Sequence, residues 1–537
     1  MKTLINISVS SEQEKNKQTV DSILFKEIKK KFAEELRKSQ NKYTAVFEKK
    51  SIDARHGQIK INLKYTVYIG EEPAETKKEV PQWKKADSSK SVVIIGAGPA
   101  GLFGALKLLE YGIKPVIIER GKETSERRKD IALISTNNFV NPESNYCFGE
   151  GGAGTFSDGK LYTRSNKRGD IGNILRIFVH FGADEKILTD AHPHIGTDRL
   201  PKVINNIRNK ILELGGELHF NTKLIDFETE QKDSDLQITG VVCKNEKETF
   251  TIPCEYVLLA TGHSAEDIYE LIAKKSPQAL EAKTFAAGVR VEHPRKLIDN
   301  IQFHGKTENM AAAEYRVTTQ VLERGVYSFC MCPGGFVVPS ASSPDEIVVN
   351  GMSTAARNSQ WSNAAIVVEI RPEDIPQEFV QEAEKLKCPQ IAGLLFRNHL
   401  EKTAKQNGNG QAAPAQLLTD FIDNKKSTEL PKTSYTPGVV SSNLNDWLPD
   451  HIKERLRKGF KQINQNMKGF VTSQAVMIAV ETRTSTPVRI LRDKETFECA
   501  SLKGLYPAGE GSGYSGGIVS SAMDGENACI KIQERFN

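Results

Sequence analysis

The stretch SVVIIGAGPAGLFGALKLLEYGIKPVIIERG, residues 91–121, decides the fold. It opens on an apolar β-branched run, Val92, Val93, Ile94 and Ile95, the pattern of a strand buried on both faces of a parallel sheet. Gly96, Gly98 and Gly101 follow in G-x-G-x-x-G spacing, with Pro99 and Ala100 between them. In such a loop the first glycine permits a tight turn, the second lets main chain approach a pyrophosphate, and the third lets helix and strand pack closely. Leu102, Ala105, Leu106 and Leu109 then recur at helical spacing until Gly112 ends the helix. The next strand, 115–118, delivers Glu119 at its carboxyl end, where an acidic side chain accepts hydrogen bonds from both hydroxyls of an adenosine ribose. A lone glycine-rich turn is weak evidence, but here strand, helix, second strand and terminal acid all fall at the required distances. The spacing predicts a βαβ dinucleotide site whose diphosphate is stabilised by the N–H groups and positive dipole end of the helix.

Working outward, the chain has 537 residues, enough for two or three domains with sizeable cores. Its formal net charge of +5 is slight for that length, so no dominant polyanion partner is implied. Eight cysteines with no C-x-x-C argue against a disulfide scaffold and a zinc site and fit a reducing compartment. The amino terminus lacks the apolar run of a secretion signal, and no stretch reads as a membrane span. The expected location is cytoplasmic, with no metal.

Residues 1–88 read as a small α+β module and linker. Leu4, Ile5, Ile7 and Val9 suggest a strand, Leu24, Phe25, Ile28, Phe32 and Leu36 a helix, and Ala45 to Phe47 another strand. Ile59, Ile61, Leu63, Tyr65 and Val67 alternate with polar residues as a half-buried strand does, giving the order βαββ. Lys29 to Lys31, Lys49, Lys50 and Arg55 invite a nucleic-acid reading, against the commoner solvated basic face. Residues 71–90, charged and carrying two prolines, read as a linker.

After Glu119 and Arg120 comes a second glycine-rich stretch, residues 147–161. Gly149, Gly151, Gly152, Gly154 and Gly159 suit main chain laid along a flat or phosphorylated ligand, with Thr155 and Ser157 as hydroxyl donors. Residues 192–199 precede a helix over 200–214, for which Thr197 and Asp198 are the candidate caps. A strand at 217–220 is followed by a meander of strands at 224–227, 236–243 and 249–252, before Val257, Leu258 and Leu259 return as a buried strand ending in Ala260, Thr261 and Gly262. Residues 284–480 read as a substrate domain of sheet and helices. Strands are expected at 287–292 and 346–350, helices at 376–386 and 445–467, and a long loop or covering element over 402–436. The chain closes with a strand reaching Gly509 and Glu510, then four glycines over 511–517 ahead of a helix from Ile518.

The βαβ unit with Glu119, the Ala260-Thr261-Gly262 strand end and the late Tyr506-Pro507-Ala508-Gly509-Glu510 segment together resemble the two-domain FAD-binding fold of the glutathione-reductase type. More narrowly, residues 148–161, 192–200, 262–264, 330–339, 350–353, 481–489 and 511–517 look like a bacterial family known as uncharacterised FAD-dependent dehydrogenases, a match spanning nearly everything after residue 43. The resemblance implies a Rossmann-like FAD-binding domain in two parts, 89–283 and 481–537, around the inserted 284–480 domain. It implies non-covalent FAD against Gly96, Gly98, Pro99, Ala100, Gly101, Glu119, Arg120, Gly152, Gly154, Thr155, Ala260, Thr261, Gly262, Gly509, Glu510, Gly516, Gly517 and Ile518. Flavoproteins of this type usually place an aspartate on the ribityl hydroxyl. Here Glu510 is one methylene longer, so it either reaches from a retracted backbone or serves otherwise.

The catalytic candidates are His263, Arg483 and Cys332. His263 follows the Ala-Thr-Gly turn and reads as an acid or base, or as a histidine bonded to main chain. Arg483 reads as an anion clamp or as half of an Arg–Glu pair. Cys332, with Cys330, reads as a redox thiol or as buried packing. Together these features describe an FAD-dependent oxidoreductase, a dehydrogenase acting through flavin N5 on a small molecule. Only one complete dinucleotide fingerprint is visible, so NAD(P)H, if used, would visit the flavin transiently. The alternatives are an RNA-modifying or RNA-binding flavoprotein and a non-catalytic flavin sensor.

Overall fold

In a computed structural model of the chain, the described residues are all except 55–58, 74–78, 164–167, 233–234, 309 and 537. Five parallel strands are ordered Leu505–Pro507, Val257–Leu259, Asp87–Ile95, Ile113–Ile118 and Glu217–His219. Ile94 stands opposite Leu258 on one side and Ile117 on the other. Alternation along the central strand explains its unbroken apolar run. Val92 and Ile94 pack into one core with Leu102, Leu106 and Ala522, while Val93 and Ile95 pack into another with Leu224, Phe227 and Val241. The antiparallel meander on that second face comprises Lys223–Lys232, Asp235–Lys244 and Thr249–Pro253. On the first face, helix Pro99–Glu110 lies against the carboxyl-terminal helix Ile518–Gln533. Contact is close enough that a methyl group on Gly525 would collide with the Ala100 carbonyl.

Residues 280–490 hold a seven-stranded sheet ordered Thr318–Val321, Arg324–Cys332, Trp361–Ile370, Phe285–Pro294, Val476–Glu481, Ala413–Leu417 and Val439–Ser441. Three sequence expectations change here. Residues 402–436 are not a covering loop: they finish helix Ala392–Gln406, then supply the buried strand Ala413–Leu417 and the short helix Leu418–Ile422. Their polar composition misled because Gln411 and Gln416 are fully buried and spend their amides on main-chain and side-chain partners. The helix expected over 445–467 breaks at Pro449 into Leu444–Trp447 and Asp450–Asn466, since proline disfavours helix in the residue before it. The strand expected at 346 begins at Val349, because Glu346 is drawn aside by Arg483.

The amino-terminal residues form an antiparallel sheet in which Lys60–Ile69 lies between Lys2–Val9 and Tyr43–Asp53, covered by helix Lys17–Lys31 through Val20, Leu24 and Ile28. Its outer strand reaches the rest of the chain through main-chain bonds from Lys50 to Thr189 and from Ala191 to Lys50. Arg55 lies outside the described residues, as does part of the stretch read as a linker. The end of that stretch is built into the fold: Trp83 packs on the rings of His180 and Phe181, and Asp87 to Lys90 begin the central parallel strand. Neither Thr197 nor Asp198 caps helix Leu200–Glu213, since Asp198 Oδ1 instead accepts the N–H of the distant Ala355.

Candidate active site

A cleft of about 330 Å³ opens at the carboxyl ends of the parallel strands, the position where α/β sheets bind ligands. Both glycine turns border it, the first through Gly96 and Gly98 and the second through Gly509, Gly516 and Gly517. Two helices aim their amino termini there, and neither Gly98 nor Gly517 caps its helix with a side chain. Their N–H groups therefore remain available to an anion. A Cβ built on Gly262, Gly516 or Gly517 would meet nothing within 4 Å, which is the signature of main chain lining open space. At Gly96, with φ +106, a side chain would strike the Ala260 carbonyl, so this turn tolerates only glycine.

Glu119 is buried at the cleft wall. Its Oε2 accepts the Ala97 N–H at 2.9 Å, and its Oε1 accepts those of Gly121 and Gly149 at 2.9 and 3.0 Å. One carboxylate thus ties three loops together and retains lone pairs for a ribose. Arg120 lines the cleft with its guanidinium over Phe148, paired to Glu143 and Asp267. Pro99, Ala100, Gly152, Gly154, Ala260, Thr261, Gly262, Glu510 and Ile518 all border the same space. Two expected residues do not. Gly101 is buried where helix meets strand, and Thr155 turns inward to donate to the Glu150 carbonyl, leaving Ser157 at the cleft.

The structure gives each catalytic candidate its surroundings. Burial, reinforced by Arg397 and Arg483, pushes His263 down to about 3, so it is a neutral imidazole and not a proton-donating imidazolium. Its Nδ1 stands 3.7 Å from Glu510 Oε1, and its Nε2 is buried without a partner. Burial raises Glu510 to about 7. Arg483 touches the cleft, yet its nitrogens are committed to Glu401, Glu346, Ser342 and the Cys147 sulfur. It is a buried ion-pair residue with no donor left for a substrate anion. Cys332 is fully buried and does not line the cleft; Cys330 does.

Three residues that sequence reasoning passed over organise the site. Arg127, part of a charged run with no evident periodicity, is wholly buried and donates to the carbonyls of Asn145, Tyr146, Gly149, Glu150 and Gly152. It therefore fixes the glycine-rich loop. Lys160 lines the cleft 3.1 Å from Asp158, which burial pushes up but Lys160 and Arg357 hold well below the usual carboxylate range. Asn350 lines it as well and accepts from Arg290 at 3.3 Å. A lysine ending a run of glycines was the one signal available for Lys160; nothing local marked Arg127.

The uncapped helix termini, the open glycine cradle, the acid at Glu119 and the unpartnered His263 nitrogen fit FAD. Residues 89–134 match the family described as FAD binding domain, and residues 284–484 match that described as FAD-dependent protein, C-terminal domain-like. Residues 1–68 match a domain of unknown function. The chain is an FAD-binding protein. It belongs to the same family as an uncharacterised protein of Clostridium beijerinckii, with which it is 40% identical over 512 residues, covering 91% of this chain and 92% of that one. Among solved structures it is similar to a geranylgeranyl bacteriochlorophyll reductase-like protein from Thermoplasma acidophilum, at 11% identity and TM-score 0.35, covering 83% of this chain and 80% of that one. It is also similar to CtdE in complex with FAD, at 9% identity and TM-score 0.32, covering 82% of this chain and 84% of that one. Among the described residues no helix is long and apolar enough to cross a membrane.

Proposed function

We propose that this chain is an FAD-dependent oxidoreductase of the dehydrogenase type, passing a hydride or electron pair between FAD and a small-molecule substrate. The observation that carries the reading is the continuity of one cleft, from the Gly96 turn and Glu119 past the Gly517 helix terminus to a polar end bearing Lys160, Asn350 and Cys330. When bound, FAD supplies a two-electron carrier that exchanges hydride at N5. The residues do the rest. Glu119 holds the adenosine ribose, and the terminus at Gly98 holds the diphosphate. Glu510 would hold the ribityl chain, and the N–H groups of the helix terminus at Gly517 would stabilise negative charge on the cofactor. Lys160 and Asn350 bind and orient a polar substrate, and NAD(P)H serves as a transient donor at the same face. We also read the two-part sheet as the glutathione-reductase type and the location as cytoplasmic.

Anaerobic mixing of the yellow holoprotein with a panel of donors, NADH and NADPH included, tests the proposal. Bleaching of the flavin by one donor supports it. Protein that is colourless and takes up no added FAD overturns it, and flavin inert to every donor favours a sensor. The RNA reading draws little support, because Lys31 pairs with Glu27 and Lys50 with Glu14.

A further inference from the structure

Where the strand Arg324–Cys332 passes the cleft it leaves regular pairing. Its register against Trp361–Ile370 shifts between Phe329 and Cys332, and Cys330 adopts φ 43. In a flat strand, residues two apart share a face at roughly 7 Å, beyond the reach of a disulfide. At the bulge the chain departs from that flat geometry, and the Cys332 sulfur turns back to donate to the Cys330 carbonyl at 3.3 Å. Cys330 borders the cleft, and Cys332 lies directly behind it. Lys160 Nζ sits 3.9 Å from the Cys330 sulfur and 3.7 Å from that of Cys332. Arg290, itself held by Glu481, donates to the Cys330 carbonyl at 3.2 Å. The neighbouring Cys332 thiol, with Lys160 and Arg290, holds the Cys330 thiol well below its ordinary range, while Cys332 is raised. Two thiols of unequal acidity beside a lysine ammonium are what thiol–disulfide chemistry requires.

We propose that Cys330 and Cys332 form a redox-active dithiol that exchanges an electron pair with the FAD bound in the cleft. This rests on the flavin reading above. In the oxidising direction two S–H bonds break and one S–S bond forms between Cys330 and Cys332. Two electrons and one proton pass to FAD, and the second proton leaves to solvent. The reverse transfer regenerates both thiols from reduced FAD. Lys160 keeps its charge throughout and stabilises the thiolate that precedes bond formation. A disulfide closed across a single residue is strained and so easily reduced, which suits a cycling pair and not a structural one.

The test is an anaerobic dithionite titration of air-oxidised holoprotein, followed by flavin absorption, beside alkylation and peptide mapping of the same samples. Wild type is expected to consume about twofold more electrons per flavin than C330S or C332S. The peptide holding both residues should map as an internal disulfide before reduction and as a doubly alkylated species afterwards. Flavin absorption in each variant reports folding independently. Equal electron uptake in all three proteins, with both thiols alkylated before reduction, overturns the dithiol and leaves the flavin site intact. Absence of flavin absorption from wild type overturns the reading of the site itself.

Discussion

Replacing Arg127 by methionine keeps the apolar stem and removes the guanidinium that holds five carbonyls of the loop over residues 145–152. Hydrogen bonds from a charged donor contribute about 1.5–3 kcal/mol each, so the gross loss approaches 10 kcal/mol. Two effects offset it. Burial, partly offset by Glu119 and Glu150, lowers Arg127 to about 10, a net penalty on the charged form of roughly 3 kcal/mol that the substitution relieves. Several freed carbonyls also gain water once the loop loosens. We expect a residual cost near 3 kcal/mol, concentrated in a loop that lines the cleft. If that loop must be ordered before FAD binds, the penalty appears as a rise of about 100-fold in Kd. Titrating apoprotein with FAD by quenching of flavin fluorescence measures it, with hydrogen exchange reporting the loop separately. Arg127→Lys, which keeps charge but loses the planar fork, should fall between the two. A Kd for Arg127→Met within about threefold of wild type would refute the claim that this arginine builds the site.

Three further outcomes follow from the same geometry. Glu119→Gln places an amide N–H against one of the three N–H groups the carboxylate now accepts, so FAD content after purification should drop by tenfold or more for a cost of about 1–3 kcal/mol. Gly525→Ala drives a methyl group into the Ala100 carbonyl, and calorimetry should show a destabilisation of about 1–3 kcal/mol even without cofactor. Burial raises Glu292, bonded to Ser434, to about 7, so the folded chain keeps a proton there that the unfolded chain has already lost. Its stabilisation is complete below the unfolded value of 4.5 and is lost as pH rises to about 7. Wild type should therefore lose on the order of 3 kcal/mol relative to Glu292→Gln across that window, and parallel denaturation curves at each pH would contradict this.

The βαβ unit was legible because its constraints are local. An unbroken apolar run can only be a doubly covered strand, the glycines at 96, 98 and 101 answer steric demands within a few residues, and Glu119 sits one strand length away. The second turn at 509–517 was legible for the same reason, and both border one cleft. Legibility failed where a side chain's meaning depends on partners far along the chain. Arg483 reads equally as an anion clamp or as half of an Arg–Glu pair until Glu346 and Glu401 arrive from other elements to consume its donors. His263 reads as an acid or base, and only burial beside two arginines decides that its ring is held neutral. Polar residues 402–436 read as a loop until the sheet takes them in.

The linear order of residues determined by itself that a parallel sheet with a nucleotide turn would form, since strand burial, turn sterics and helix-end charge act over short separations. Only the tertiary structure decided which residues face the cleft. It turned Thr155 inward, set Cys330 in front of Cys332 and brought Lys160 to their sulfurs. The physical reason is that burial and pairing, which set charge state and reactivity, are properties of neighbours in space and have no signature in local spacing.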